Sequence, residues 1–247
     1  RYRYGLFEQR VVNGYQEEYP DNWLKVDYPW EIRRGEEAVP VRFGGNVRME
    51  ANGRLRFIHE NAQLVMAIPY DVPVVGYKNG TVNTLRLWSA QVPINENTSA
   101  IKLRQECLHS SEYKRDVEAI SDILYPDDSI YEGKMLRLKQ QYFLVSAGMQ
   151  SILRSFSGQY EDLRRLPEKV AIHINDTHPT LVIPECMRLL MDEHGFGWDE
   201  AWEITTKTMS YTNHTILPEA LERWPVELIQ NLLPRMYMII NEINERF

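Results

Sequence analysis

The sequence has few cysteines, no long apolar run and no excess of positive charge. Its two cysteines, Cys107 and Cys186, lie far apart and in no metal-ligand spacing, so we expect reduced structural thiols rather than a disulfide scaffold. No apolar run approaches the roughly 18 residues that a membrane span needs, and no leader pattern occurs. With 28 Lys and Arg against 35 Asp and Glu, the net charge of -7 disfavours nucleic acid and anionic membranes as partners. A cytoplasmic globular protein is expected.

The sequence also lacks a Gly-rich phosphate cradle before a helix and any motif for a cofactor. Phosphate groups are held by arginine, lysine or helix amino ends, but the basic pairs Arg33-Arg34 and Arg164-Arg165 are not beside the polar turns described below. The residues therefore indicate no phosphate cradle and no cofactor site within this chain. The chain starts without Met in a β-patterned run and stops at Phe247 in a helical pattern, so we interpret it as a piece of a longer protein.

The first third of the chain, residues 1–92, has the pattern of a β-rich segment. Three Asn-Gly dipeptides, at 13–14, 52–53 and 79–80, are of the type favoured in two-residue hairpins, because both residues tolerate positive φ. Short β-prone runs predict strands at residues 41–43, 47–49, 55–58, 64–68 and 82–87.

Residues 93–247 have the pattern of a helix-rich α/β segment. Helices are predicted at 112–124, 132–156 and 199–207, with a further helix that begins at Pro225 and is interrupted at Pro234. The apolar run 170–174 predicts a strand covered on both faces, followed by a helix capped by Thr180 with Pro184 in its first turn. The 132–156 helix carries an apolar stripe predicted to be buried, made of Leu138, Tyr142, Val145, Met149, Ile152 and Phe156.

Two short polar turns follow predicted strands, at residues 175–179 and 213–215, and a helix-forming run follows the second. In an open α/β sheet such turns lie at the carboxyl edge, where ligands bind. Each turn offers an amide, a hydroxyl and an imidazole, which suit the hydroxyl ring of a sugar. Spacing alone equally allows Asp176, Thr177 and Asn213 to serve only as turn and helix caps.

A metal site is the competing interpretation of the same residues. It would use as ligands His173, Asp176, His178 and His214. His173 lies within an apolar strand, and His178 precedes Pro179 directly, so convergence of the imidazoles on one ion is not indicated. No metal ligand is therefore predicted.

The chain resembles the glycogen, starch and maltodextrin phosphorylases along its whole length. The matching segments are YDVPVVGY at 70–77, NTLRLWSA at 83–90, EGKMLRLKQ at 132–140, NDTHP at 175–179 and MSYTNHTILPEALERWP at 209–225. The resemblance implies an α/β fold, namely a partial amino-terminal Rossmann-like domain of a GT-B glycosyltransferase with a β-rich first third. It implies an intact homodimer that cleaves α-1,4-glucan with inorganic phosphate to glucose 1-phosphate. Pyridoxal phosphate would be carried on a lysine outside this chain, and the fragment alone would be inactive.

The resemblance also implies roles for individual residues. His214 is expected to be catalytic, hydrogen-bonding the glucosyl hydroxymethyl group and placing its main-chain carbonyl against the anomeric region. Asp176, Thr215 and Glu222 are expected to bind substrate with it.

The acidic turn that contains Tyr125, Asp128 and Ser129 is by composition an ordinary solvated loop. By resemblance it is a gate, whose residue Asp128 moves aside on activation to admit a phosphate-binding arginine. Ser129 and Ile130 stand where the muscle member of the family has Asn and Phe, a departure that bears on inhibitor contacts.

Regulation also departs from the animal pattern. Arg154-Ser155 replaces two consecutive arginines that contact the phosphate of AMP in the muscle member, so weak or absent AMP activation is predicted. Asn241 stands where a storage-site aromatic is expected, which disfavours surface docking on glycogen. Two other functions remain open from the residues: a non-catalytic glucan-binding or regulatory piece that folds alone, and a metal hydrolase that uses the histidines.

Overall fold

A computed structural model describes residues 1–26, 28–51, 55–93, 100–218 and 221–247, without the side chains of 51, 55 and 100–110. The chain forms two compact units. The first comprises Arg1–Val41 and Leu64–Gln140, and the second comprises Arg42–Gln63 and Gln141–Phe247. The division between a β-rich part, 1–92, and a helix-rich part, 93–247, stays a prediction.

Strands dominate the first part of the chain and helices the second. The strands are β1 (Phe7–Val12), β2 (Tyr15–Pro20), β3 (Ile32–Arg33), β4 (Val39–Phe43), β5 (Asn46–Ala51), β6 (Leu55–Glu60), β7 (Gln63–Val75), β8 (Val82–Gln91), β9 (Ile172–Asn175) and β10 (Met209–Thr212). The α-helices are α1 (Ala100–Asp122), α2 (Tyr131–Ser157), α3 (Leu166–Lys169), α4 (Val182–Arg188), α5 (Trp198–Thr208), α6 (Val226–Leu232) and α7 (Pro234–Arg246). The mixed α/β class and all the strands predicted in the first third are confirmed.

The first unit is built on the antiparallel pair β7 and β8. These strands pair from Met66 opposite Gln91 to Val75 opposite Val82, and β7 also pairs with β3 and with β4. Asp71 of β7 lies opposite Arg86 of β8 and accepts two hydrogen bonds from its guanidinium, at 2.7 and 2.8 Å. These bonds from Arg86 hold the pKa of Asp71 below its usual value despite partial burial.

The Asn-Gly dipeptides give different turns. Asn13 and Gly14, with φ of 52° and 85°, close the β1–β2 hairpin in the predicted two-residue form. The two-residue hairpin predicted at 79–80 is wrong: β7 and β8 are joined by residues 76–81. There the Oδ1 of Asn79 accepts from the amide of Thr81 at 3.0 Å, a local Asx turn that competes with the tighter hairpin. Asn52-Gly53 lies outside the described residues.

The apolar stripe on α2 is buried as predicted, with one exception. Leu138, in the first unit, is 0% exposed, whereas Ile152, in the second, is only half-buried. The other stripe residues are buried in the second unit: Tyr142, Val145, Met149 and Phe156. A period near 3.6 over several turns therefore identified both the helix and its core face.

In the second unit, α4 begins later than its sequence suggests. Val182 is its first residue and Leu181 its N-cap, so the cap predicted at Thr180 is wrong. The hydroxyl of Thr180 instead donates to the carbonyl of Thr177 at 2.6 Å, which satisfies it within the preceding turn. Pro184 lies in the first helical turn as predicted.

The helix-forming run expected after residues 213–215 includes residues 219–220, which lie outside the described residues. Residues 213–217 form no regular element, and α6 begins only at Val226, with Pro225 as its N-cap. Asn213 and Thr215 direct their side chains to the backbone of this turn, which competes with helix formation. Pro234 begins α7, as predicted from its helix-interrupting position.

Strand β9 is buried on one face only, not on both as predicted. Ile174 is 2% exposed, whereas His173 and Asn175 on the other face are exposed. Alternation with a period of two therefore places two polar side chains on an open face.

None of the described helices combines the length and apolar character needed to cross a bilayer.

Candidate functional site

The two polar turns meet at the carboxyl ends of β9 and β10. These strands are parallel, and Asn175, the last residue of β9, lies opposite Thr212, the last residue of β10. Beyond them, the amide of Asp176 donates to the carbonyl of Thr212 at 2.9 Å. Because the last residues of the two strands are paired, the turns at 175–179 and 213–215 lie at the same edge of the sheet. The prediction that both turns lie at the carboxyl edge of one sheet is confirmed.

His214 reaches back across this edge to the neighbouring strand. Its Nε2 lies 2.5 Å from the Oδ1 of Asn175, although the two residues are 39 apart in sequence. Both side chains are exposed, so they are accessible to a ligand. The structure therefore brings His214 next to the turn that contains Asp176, as predicted.

Asp176 occupies a strained backbone position. Its φ is 65°, the left-handed region that non-glycine residues rarely adopt and that often occurs at functional sites. Its Oδ1 accepts the amide of Thr177 at 2.8 Å, so the carboxylate also stabilises its own turn. The Oγ1 of Thr177 is buried and has no hydrogen-bond partner among the described residues. The turn thus combines the capping role with a hydroxyl that is free for a further contact.

Thr215 and Asn213 hold the second turn. The side-chain amide of Asn213 donates to the carbonyl of Thr215 at 2.6 Å, and the hydroxyl of Thr215 accepts the amide of Leu217 at 3.2 Å. These short-range bonds fix the backbone on either side of His214. Asn213 therefore has the turn-stabilising role that the alternative interpretation assigned to it.

Glu222 is tied to α2. Its Oε1 accepts a hydrogen bond from the side-chain amide of Gln141 at 2.7 Å, and the pair is partly buried. The two residues are 81 apart in sequence, and no local pattern links them. This contact places Glu222 against the second unit's core helix, and sequence reasoning did not find it.

The residues proposed as metal ligands do not converge. Within the described part of the chain, no group of three or more His, Cys, Asp and Glu side chains could hold a metal ion. His173 instead contacts the hydroxyl of Thr212, and His214 contacts Asn175. Each of these two imidazoles therefore has a neutral polar partner across the strands.

A buried carboxylate anchors α4, the helix that follows the first turn. Glu185 is 0% exposed and accepts from the hydroxyls of Tyr142 at 2.9 Å and Ser146 at 2.7 Å, both on α2. Arg188 donates to it twice, at 2.8 and 2.9 Å. Burial and the neighbouring charge of Glu185 raise the pKa of Tyr142. The two hydroxyls of α2 fix α4 relative to α2, whereas Arg188, on α4 itself, balances the charge of the carboxylate. This network supports the Asp176 turn.

The predicted gate loop, residues 125–129, lies in the first unit. Tyr125 has a φ of 52° and is exposed, and the Oδ1 of Asp127 accepts the amide of Ser129 at 3.0 Å. Hydrogen bonds from the hydroxyl and amide of Ser129 hold the pKa of Asp127 below its usual value. The carboxylate of Asp128 is 63% exposed and lies 3.9 Å from the guanidinium of Arg137. A solvated acidic turn with a weak ion pair can rearrange at low cost.

The chain is similar to known proteins over its full length. A family model described as carbohydrate phosphorylase matches residues 1–247. The glycogen phosphorylase of Bacillus subtilis (strain 168) is 54% identical over 248 residues, and that of Chlamydia pneumoniae is 51% identical over 249. The brain-form glycogen phosphorylase of Rattus norvegicus is 48% identical over 254 residues. Each match covers 100% of this chain and 30% of the relative. The chain belongs to the carbohydrate phosphorylase family.

Proposed function

We propose that the protein containing this chain is an α-glucan phosphorylase. The reaction is cleavage of an α-1,4-glucan by inorganic phosphate, which yields glucose 1-phosphate and a glucan shortened by one glucosyl unit. Family membership over residues 1–247 and relatives named glycogen phosphorylase at 48 to 54% identity support this activity. Because the chain spans about 30% of the length of those relatives, the activity is proposed for the whole protein.

The observation that carries the proposal is the shared edge of β9 and β10, where His214, Asn175 and the Asp176 turn lie together. Carboxyl ends of parallel strands are the usual ligand sites of α/β sheets, and this edge carries short polar side chains on fixed turns. We assign this part of the chain to the Rossmann-like amino-terminal domain of a GT-B fold. A retaining phosphorolysis needs no pair of glycosidase carboxylates, and none is assigned.

His214 is the residue proposed to hold the glucosyl unit. Its imidazole hydrogen-bonds the hydroxymethyl group, and its main-chain carbonyl lies against the anomeric region. Asp176, Thr215 and Glu222 complete the substrate contacts. Tyr125, Asp128 and Ser129 form the gate, whose exposed Asp128 is free to move.

Pyridoxal phosphate is the cofactor proposed for the intact protein, and its phosphate supplies acid-base chemistry to the substrate phosphate. No Gly-rich cradle precedes a helix in this sequence, so no residue of this chain is assigned to cofactor binding. The 247-residue chain by itself is expected to release no glucose 1-phosphate. The intact protein is proposed to be a cytoplasmic homodimer.

The first prediction tests His214. In the intact protein, His214→Ala should lower kcat/KM for phosphorolysis of maltoheptaose by roughly five- to 100-fold, because a hydrogen bond to the glucosyl unit is lost and its partner is left unpaired. The free energy of unfolding should change little, since the side chain is exposed. His194→Ala is the matched control, since His194 is an exposed histidine that caps the carboxyl end of the short π-helix Leu189–Glu193. Unchanged turnover in His214→Ala would contradict the assignment.

A further inference from the structure

We infer that Asn175 is a positioning residue, which acts on the substrate through His214. Its side-chain oxygen accepts a hydrogen bond from the Nε2–H group of the imidazole. Nδ1 is then left to accept a hydrogen bond from a hydroxyl of the glucosyl unit. This inference rests on the proposed function, because it concerns the same reaction. It goes beyond the proposed function in naming the residue that sets the rotamer and the tautomer of His214.

The first support is a repeated diagonal contact between the two strands. His173 lies opposite Ser210 but bonds to Thr212, two residues further along β10. Asn175 lies opposite Thr212 but bonds to His214, again two residues further along the chain. Residues two apart share a face of a strand, so both contacts belong to one polar row on the open face. His214 thus continues the sheet's side-chain row although it lies beyond the end of β10.

The second support is the donor and acceptor chemistry of the pair. An amide oxygen can only accept, so the contact of Oδ1 with Nε2 requires the hydrogen of the neutral imidazole to be on Nε2. Nδ1 then carries a lone pair and no hydrogen. No residue described in the structure is hydrogen-bonded to Nδ1, which leaves it available to a ligand hydroxyl.

The third support is the rigidity of the atoms that carry Asn175. Its backbone ends β9, and the next residue, Asp176, donates its amide to Thr212 at 2.9 Å. An exposed imidazole otherwise samples several rotamers, and each sampled state lowers the fraction that can bind substrate. A partner on a fixed strand end restricts that freedom before the substrate arrives, which is the usual role of a supporting residue.

The test compares variants of the intact protein on two substrates, α-D-glucose 1-phosphate and its 6-deoxy analogue, in the glucan-lengthening direction. Asn175→Ala should lower kcat/KM for glucose 1-phosphate about fivefold to tenfold, and should lower it by less than about twofold for the analogue, which lacks the hydroxyl. In a His214→Ala background, Asn175→Ala should have almost no further effect, because the two residues act as one unit.

Thr212→Val is the matched control. It removes the other diagonal contact, to His173, without touching His214, so it should leave the ratio of the two kcat/KM values unchanged. A separate readout is the ¹⁵N resonances of the His214 ring, which report where the proton lies in each variant. The Nε2–H form should dominate in the unmodified protein and lose its dominance in Asn175→Ala.

Two kinetic results would overturn the positioning role. These are equal losses on both substrates in Asn175→Ala, or a fully additive double variant. A native ring with its proton on Nδ1 would also overturn it. If the unmodified protein fails to use glucose 1-phosphate at all, the proposed function fails, and the ring resonances still decide whether Asn175 sets the tautomer.

Discussion

Glu185 shows how a single buried charge can organise the residues around it. It is fully buried and accepts four hydrogen bonds, two of them from Arg188, whose side chain is 14% exposed. A buried ion pair of this kind does not stabilise a fold more than well-packed apolar side chains would. Removing one partner is costly, however, because the other charge stays desolvated. The hydroxyls of Tyr142 and Ser146, which share this carboxylate, therefore specify how α4 lies on α2.

Glu185→Gln should lower the free energy of unfolding by about 3 kcal/mol, since the volume is kept but Arg188 loses its buried counter-charge and retains only the more exposed Glu193. Denaturant unfolding of the variant and of the unmodified protein measures the difference. The control is Glu203→Gln, which breaks an exposed pair with Lys207 and should leave the free energy of unfolding almost unchanged. Equal small losses in the two variants would mean that the buried network is not formed.

His59 gives the second unit a pH-dependent contribution to stability. Burial lowers the pKa of His59, and the charges of Arg42 and Arg188 lower it further, while a hydrogen bond to the carbonyl of Gly44 opposes them. The unfolded chain therefore binds this proton more strongly than the folded one. The contribution is present above the usual histidine pKa of about 6.5 and is lost as the pH falls through that value towards the lower folded pKa.

The free energy of unfolding should therefore decrease between about pH 7.5 and about pH 5, and the decrease should be smaller in His59→Gln. Urea titrations of both proteins at several pH values measure these slopes. His194→Gln serves as the exposed-histidine control. If His59→Gln keeps the full slope, other groups account for the pH dependence.

At the scale of elements, α2 contains two glycines in very different surroundings. A Cβ on Gly133 would lie 1.7 Å from the carbonyl oxygen of Asp127, so the gate loop passes directly over the first turn of the helix. A Cβ on Gly148 would meet nothing within 4 Å. One glycine thus permits a close approach of backbone to helix, and the other only weakens the helix.

Gly133→Ala should destabilise the protein by about 1–3 kcal/mol, because the loop or the helix must shift to relieve the clash. Gly148→Ala should stabilise it by about 0.5–1 kcal/mol, since alanine favours helix and no neighbour is displaced. Thermal unfolding of the two variants should show opposite signs. A neutral Gly133→Ala would mean that residues 125–129 rearrange freely, which would agree with a mobile gate but not with this packing.

Elements with a clear period were predictable and isolated caps were not. The stripe from Leu138 to Phe156 repeats over several turns, so its burial follows from spacing alone. The roles of Thr180 and of the 79–80 dipeptide are each decided by one side-chain hydrogen bond. Several backbone groups nearby in sequence could be the partner of that side chain. The irregular backbone of residues 213–217 also depends on single local bonds, which Asn213 and Thr215 make to their own turn.

For the whole molecule, the level ends of β9 and β10 could be anticipated, because two strands that each precede a polar turn tend to share an edge. The residues that support the site could not. Gln141 reaches Glu222 across 81 residues, and Asn175 reaches His214 across 39. Such pairs depend on tertiary packing, which carries no local signature in the sequence.

Regulation is the property that this chain is expected to share least with the animal members of its family. Arg154 and Ser155 lie exposed near the carboxyl end of α2, where the muscle member is expected to place two arginines on the phosphate of AMP. With one arginine fewer, a bidentate contact to the phosphate of AMP is lost. A loss of about 1.4 kcal/mol of binding free energy already weakens AMP binding tenfold. We expect millimolar AMP to change the phosphorolysis rate of the intact protein by less than about twofold, measured with maltoheptaose and phosphate below saturation.

Ser155→Arg should tighten AMP binding several-fold, with Ser151→Arg, one turn earlier, as the control. Several-fold activation of the unmodified protein by AMP would show that a single arginine suffices.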